Sequence, residues 1–400
     1  MLPVADQLDH LLQGVDTVLP ADGLSRLLKE GRPLRVKLGL DPTAPDITLG
    51  WAVVLRLLRR FQELGHVAVL IIGDFTARVG DPSGRNETRP RLDPEVVDGY
   101  AARCLDMIGD LLLPEPLEVR RNAEWLGPMT MEDVLSLTSA LTVAQLLERS
   151  DFRDRYTAQQ PISLVEFMYP LLQGYDSVAV RADVELGGAD QLWNLTIGRA
   201  IQDRYGQPPQ TAVTVPLLVG TDGSKKMSQS LGNYISVRDR AAEMFGKTMS
   251  IPDDVMGEWL VLAAGEHPTA AAAIMAEVAS GNRHPGETKR LLARRIVARY
   301  WGEDAATDAE AAFDRVFVAH QAPDDIPVAT LPPGAAEVSL PELLQRAGLV
   351  ASRSEARRLL GQGAIRIDGV VASSESMPAD RLTGRVVQVG KRRFVRVEPP

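Results

Sequence analysis

Cysteine is nearly absent: one residue, Cys104, stands in a chain of 400, which excludes a disulfide framework and a cysteine-based metal cluster. Aromatic residues make up 5%, and the five histidines lie at 10, 66, 267, 284 and 320. No apolar run calls for a membrane span, and Met1 to Asp9 lacks the basic, apolar pattern of a secretion signal, so a cytoplasmic chain is expected. What is present is 45% apolar content with a mean hydropathy of −0.07, enough for two or three globular domains with large cores. The net charge is −9, unevenly spread. From Val338 to Pro400, eleven Arg or Lys face six Asp or Glu, a surplus of five positive charges that leaves −14 for the remainder.

Leu34 to Leu38 reads as a short buried strand ending in Gly39, and the loop through Asp46 leads into an amphipathic helix. Val54, Leu58 and Phe61 share one face of that helix, which Gly65 ends. Val67 to Ile72 is apolar at every position, as in a strand covered on both faces of a parallel sheet. A second strand, helix, strand unit is expected from Val178 to Leu186, around Asn194 to Tyr205, and from Thr211 to Leu218, with about 90 residues of mainly helical pattern between the halves. The fold class is therefore α/β: a doubly wound, Rossmann-type parallel sheet with a helical insertion, its ligand site at the carboxyl ends of the strands. Ile251 to about Ala319 is Ala-rich and helical, Pro323, Pro327, Pro332 and Pro333 mark a linker, and the basic segment beyond is a small domain. In that domain Ser354-Glu-Ala-Arg-Arg opens a helix, Asp368-Gly369 makes a hairpin turn and Val386 to Val397 supplies closing strands.

Two segments carry chemistry. Gly39-Leu-Asp41-Pro-Thr43, followed by Thr48-Leu-Gly50-Trp51, places a loop and a helix start after a parallel strand, where unpaired N–H groups and the positive end of the helix dipole suit a triphosphate. Taken alone it reads equally well as a loop with a close-packing glycine. Gly223-Ser-Lys225-Lys226-Met227-Ser228-Gln229-Ser-Leu-Gly232 is a basic, hydroxyl-rich loop able to close over phosphates, and by itself it reads better as solvated surface.

Together these segments resemble the two ATP signatures of a class I aminoacyl-tRNA synthetase. Three further segments make the chain similar to bacterial tyrosyl-tRNA synthetases over nearly its full length: Ile72-Gly-Asp-Phe-Thr-Ala-Arg-Val-Gly-Asp-Pro-Ser-Gly84, Tyr169-Pro-Leu-Leu-Gln-Gly-Tyr-Asp176 and Gly187-Gly-Ala-Asp-Gln191. The resemblance implies that Asp81, Tyr169 and Gln173 hold the substrate ammonium. It also implies that Asp176 faces the phenol hydroxyl, and that Gln191, with Asp190 beside it, approaches the carboxyl and ribose side. The chemistry agrees, because a buried ammonium requires a carboxylate and neutral acceptors. Tyr169, Gln173 and Asp176 fall at i, i+4 and i+7, hence on one helical face; the competing reading is a core helix with polar edges. Lys37 occupies a first-strand position where many relatives carry a tyrosine that touches the substrate hydroxyl, and is included among the expected substrate contacts.

The resemblance breaks in the ATP signatures. Thr48 and Trp51 stand where the family has two histidines, and Gln229 replaces a lysine that pairs with pyrophosphate, while Lys226 is kept. Losing one preorganised donor of this kind typically costs roughly 3 to 4 kcal/mol in activation. Either the site is rebuilt from Trp51, Gln229, Lys225, Arg85 and Arg89, or the chain is a paralogue whose adenylation is weakened or redirected, for example to natural-product biosynthesis or self-resistance. A non-catalytic amino-acid- or tRNA-binding protein is the third reading. On the main reading, tyrosine or a close analogue is activated with ATP and Mg²⁺ and passed to tRNA by a homodimer. The expected division is 1–218 for the catalytic domain with its insertion at about 90–177, 219–235 for the mobile signature loop, 236–322 for a helical tRNA-facing domain, 323–337 for the linker and 338–400 for the RNA-binding domain. This last segment resembles a small fold shared with a ribosomal protein, with Arg353, Arg357, Arg358, Arg366, Lys391, Arg392 and Arg393 toward RNA phosphates; the plainer alternative is a solvated basic face.

Overall fold

A computed structural model of the chain describes residues 2–81, 92–317, 327–334, 336–390 and 393–399. These form two compact units, Met1–Arg240 with Lys247–Ile296, and Ala241–Gly246 with Val297–Pro400.

The first unit is built on a six-stranded sheet made of β1 (Thr17–Leu19), β2 (Arg35–Leu40), β3 (Val67–Ile72), β4 (Leu117–Arg121), β5 (Val184–Gly188) and β6 (Thr211–Val215), in the order β1-β6-β5-β2-β3-β4. All neighbours are parallel except β1, which runs antiparallel to β6. The apolar run from Ala68 to Ile72 is fully buried, which is what covering both faces of a parallel strand requires. Helix α1 (Leu49–Glu63) joins β2 to β3; Thr48 caps its first turn, and Gly65, with φ +87°, takes the left-handed conformation beyond its end. Its inward face buries Leu55, Leu58 and Phe61 completely, each contributing about 1.5–3 kcal/mol of transfer free energy. The chain leaves β2 toward β3 and β4 on one side and returns through β5 and β6 on the other, so the order reverses beside β2. A crevice opens there at the carboxyl ends.

Three details differ from the sequence reading. Val178 to Val180 is the last turn of helix α3 (Leu164–Val180), and the strand starts only at Val184. An apolar run on a buried helix has the same pattern as a buried strand; Arg181, at φ 50°, marks the break that periodicity does not show. The inserted stretch also contains the edge strand β4, whose Leu-Glu-Val-Arg-Arg composition is too charged to stand out. Finally, β6 stops at Val215, because Pro216 has no N–H for the ladder. Helix α2 (Pro94–Leu111) packs against α1, and α3 packs against α4 (Leu192–Arg204), with Gly174 and Gly198 facing each other at the crossing.

In the second unit, Phe245, Phe313 and Phe317 form a ring cluster with centroids 5.4 and 4.5 Å apart. Among its described residues the C-terminal part has seven short strands: β7 (Val328–Thr330), β8 (Glu337–Ser339), β9 (Ile365–Ile367), β10 (Val370–Val371), β11 (Ser376–Pro378), β12 (Val386–Val389) and β13 (Arg393–Glu398). Five of them form a sheet in the order β10-β9-β12-β13-β7, and β8 pairs with β11. Asp368 and Gly369, at φ 46° and 84°, turn the β9–β10 hairpin in the doubly positive conformation that matches strand twist. The basic helix α5 (Arg353–Gly361) is capped by Ser352 and buries Ala356 against a core that includes Leu343, Leu344, Val387 and Val395.

Candidate active site

At the carboxyl ends of the parallel strands lies a cavity of about 520 Å³, lined by residues of both signature segments and by Asp41, Asp81, Tyr169, Gln173, Asp176, Asp190 and Gln191. One buried hydrogen-bond chain forms part of its wall. Tyr169 donates its hydroxyl to Asp41 Oδ2 (2.9 Å), and Thr76 donates to Asp41 Oδ1 (2.7 Å). Asn122 donates Nδ2 to Thr76 Oγ1 (2.9 Å) and to Asp176 Oδ2 (3.3 Å), and Trp125 donates Nε1 to Asp176 Oδ1 (2.8 Å). Asp74 fixes the turn that carries Asn122 by accepting from the N–H of Ala123 (2.9 Å).

Burial pushes Asp41 up to about 7, with the charges of Asp81 and Asp176 adding to it against the donors Thr76 and Tyr169. Burial also pushes Asp176 up to about 6, opposed first by the charge of Lys37 and then by Trp125 and Asn122. The Tyr169 hydroxyl is held well above its ordinary range by burial and by Asp41. Asp41, Asp81 and Asp176 around one cavity make an electrostatic well for a cation, and an ammonium among Asp41, Asp81 and Tyr169 would relieve the repulsion. Asp81 accepts from Gln191 Nε2 (3.0 Å), whose Oε1 accepts from Asn194 (2.9 Å), which in turn is held by Arg149 (3.3 Å).

Lys37 departs from the expectation of a substrate contact. Its ammonium is absent from the cavity wall and fully buried, bonded to Glu185 Oε1 (2.8 Å), Ser177 Oγ (2.8 Å) and the carbonyl of Gln173 (2.9 Å). Three acceptors saturate its three donors, which leaves none for a ligand.

Gly39, Thr43, Gly50, Trp51, Met227 and Ser228 line the cavity on the signature side. Thr48 is also there, but its hydroxyl caps α1 by accepting from the N–H of Trp51 (3.3 Å). Lys226 pairs with Asp190 (2.7 Å). Lys225 is exposed and does not line the cavity; its N–H is held by Asp222 Oδ1 (3.1 Å). Gln229 differs from a free phosphate ligand: its amide donates to the carbonyl of Asp46 (2.7 Å) and accepts from the N–H of Asp46 (3.3 Å). Leu49 N–H to Ile235 (2.9 Å) adds to this tie, so the two signatures are bonded directly. Arg85 and Arg89 lie outside the described residues.

Residues 29–318 match the family model described as tRNA synthetases class I (W and Y). The chain is 48% identical over 398 residues to the tyrosine–tRNA ligase of Moorella thermoacetica, covering 98% of this chain and 96% of the relative. It is 49% identical over 390 residues to that of Mannheimia succiniciproducens, covering 98% of each. The chain belongs to the tyrosine–tRNA ligase family of class I. Among solved structures, the tyrosyl-tRNA synthetase of Archaeoglobus fulgidus complexed with L-tyrosine shares the fold, with a TM-score of 0.61 and 21% identity over 77% of this chain and 99% of the other. The truncated mitochondrial enzyme of Aspergillus nidulans gives 0.64 and 20% over 79% and 95%.

The ligase fold carries a C-terminal addition, and residues 338–381 match the S4 domain model. Of its arginines, Arg353 pairs with Glu342 (3.2 Å), Arg357 with Glu375 (3.0 Å) and Arg393 with Glu355 (3.6 Å). Arg358 bonds Gln362 (3.3 Å) and Arg366 the carbonyl of Gly369 (3.2 Å). Lys391 and Arg392 lie outside the described residues. The paired arginines on α5 remain half exposed.

Sequence reading missed Thr76, Asn122, Trp125 and Glu185. Thr76 sat inside a quoted motif without a role. Asn122 and Trp125 lie in a stretch with no period to draw attention, and Glu185 interrupts an apolar strand, which was the one available signal.

Proposed function

We propose that this chain activates L-tyrosine with ATP and transfers it to the terminal ribose of tRNA. The observation that carries the reading is the buried Asp176, held by Trp125 and Asn122 in a cavity that both nucleotide signatures also line. An ionised acceptor at that point favours a substrate with a hydroxyl, because an analogue without one leaves the carboxylate unpaired. Asp81, Asp41, Tyr169 and Gln173 would take the ammonium, and Gln191 the carboxylate side. A tyrosine carboxylate oxygen then attacks the α-phosphorus of ATP and pyrophosphate leaves. Next, a ribose hydroxyl of tRNA attacks the acyl carbon and AMP leaves. The protein contributes position and charge, with no side-chain nucleophile. Mg²⁺ enters with ATP as part of the substrate. Lys226, released from Asp190, supplies the cation at the phosphates, and Gln229 keeps its loop in place rather than neutralising charge. Trp51 offers an aromatic face to the adenine.

Tyrosine-dependent exchange of pyrophosphate into ATP, followed by charging of tRNA, is the direct test. Both are expected. Exchange without charging would move the reading to another acceptor, and tyrosine binding without exchange would make the chain a binding protein. Nothing in the comparisons favours either alternative.

A homodimer is part of the same reading. Met131 and Leu135 lie one turn apart on a helix of the inserted region and are 74% and 63% exposed, and Leu164, at the start of α3, is 81% exposed. Such side chains are commonly covered by a partner. Sedimentation is expected to give a dimer, and the Leu135→Asp/Leu164→Asp variant a monomer; an unshifted variant would locate the interface elsewhere.

A further inference from the structure

Lys37 and Glu185 form an ion pair that is 0% and 1% exposed, behind the cavity wall rather than in it. Apart from one bond to Glu185 from Gln210, their other bonds converge on one turn of α3. Lys37 donates to the Gln173 carbonyl and to Ser177 Oγ, and Glu185 accepts from Gln173 Nε2 (3.4 Å), from Ser177 Oγ (3.2 Å) and from Gln210 Nε2. That turn carries Gln173 and Asp176 into the cavity. Stability does not account for the arrangement, since desolvating two charges is at best offset by their attraction.

Resting on the tyrosine-activation reading, we propose that Lys37 and Glu185 are positioning residues for substrate specificity: from β2 and β5 they lock the 173–177 turn and set a cation behind Asp176, so that it meets the phenol as a carboxylate. Among the described residues, the charged and titratable groups that act on Asp176 are Lys37 on β2, Glu185 on β5, Tyr169 on its own helix and Asp41 at the end of β2. Of these, Lys37 is the cation. Its influence on Asp176 is the largest in the direction opposite to burial, and Glu185 acts the other way.

The two residues therefore have opposite signatures. In Lys37→Gln/Glu185→Gln, whose amides are neutral, the midpoint of the lower of the two acid limbs of tyrosine binding, the one set by Asp176, is expected to rise, and the preference for tyrosine over phenylalanine to fall at pH 6.5. In Glu185→Gln alone the midpoint moves down. Calorimetry with tyrosine and phenylalanine between pH 5.5 and 8.5 reads both variants, and pyrophosphate exchange is followed in parallel. Variants that weaken both amino acids equally with unmoved midpoints overturn the proposal, and a misfolded double variant leaves Glu185→Gln to decide it. If the parent binds tyrosine but shows no exchange, the ligase reading fails while opposite midpoint shifts still support the positioning role. A parent that binds no tyrosine overturns both.

Discussion

Asp176→Asn is expected to lower kcat/KM for tyrosine by roughly tenfold to a hundredfold, the loss of a hydrogen bond to a charged acceptor worth about 1.5–3 kcal/mol, while the value for phenylalanine holds or rises. Tyrosine–tRNA ligases are themselves the general example of rejecting an analogue that lacks a hydroxyl, by about 10⁵, a magnitude belonging to known members of the family. In this chain the carboxylate has one fixed donor on each oxygen, Trp125 on Oδ1 and Asn122 on Oδ2, which leaves acceptor capacity for a ligand hydroxyl. The pH profile provides a second check. Burial places Asp176 at about 6 and Asp41 at about 7, and both act as acceptors in their ionised forms, so kcat/KM for tyrosine should fall as pH drops through 7 to 6. The asparagine variant should lose the lower of the two limbs. A profile identical to the parent's would assign the limb to another group.

The sign for stability is the reverse. An acid whose folded-state pKa lies above its unfolded value binds its proton more tightly when folded, so its contribution is full below about 4 and is lost as pH rises through 6 to 7. A bound ammonium beside Asp41 and Asp81 removes that penalty, and tyrosine should raise the melting temperature more at pH 7.5 than at pH 5.5.

The second large effect is expected from Gly73→Ala. Gly73 follows β3, and a Cβ there would fall on Asp41 Oδ1 and Thr76 Oγ1, well inside van der Waals contact. Neither side chain has room to retreat, because Asp41 is held by Tyr169 and Thr76 by Asn122. Overpacking of this kind costs about 1–3 kcal/mol, and displacing Asp41 adds the loss of two buried hydrogen bonds. The midpoint of denaturant unfolding should fall accordingly, and tyrosine affinity should drop by at least about tenfold even where the variant is fully folded. A variant with parental affinity would show that the Tyr169–Asp41–Thr76 chain does not shape the ammonium site.

The doubly wound sheet was legible because β3 is apolar throughout and α1 repeats at helical spacing between two glycines. The edge strands β1 and β4 were not, since three to five half-exposed residues carry no periodic signal. Tyr169, Gln173 and Asp176 could be placed on one face from spacing alone, and all three line the cavity. The roles of Lys37 and Gln229 were beyond spacing: a lysine reads as exposed or ligand-binding until its acceptors are seen to come from β5 and α3. Likewise, a glutamine in a loop does not announce that its partner is the backbone of Asp46, nearly two hundred residues earlier.

That Gln229 tether is uncharged. Mobile salt screens a lysine gripping phosphate, whereas an amide held by a peptide group keeps its strength when ions are added. The Gln229 part of this loop's attachment is thereby insensitive to the ionic medium, whereas the half-exposed Lys226–Asp190 pair of the same loop is weakened by it.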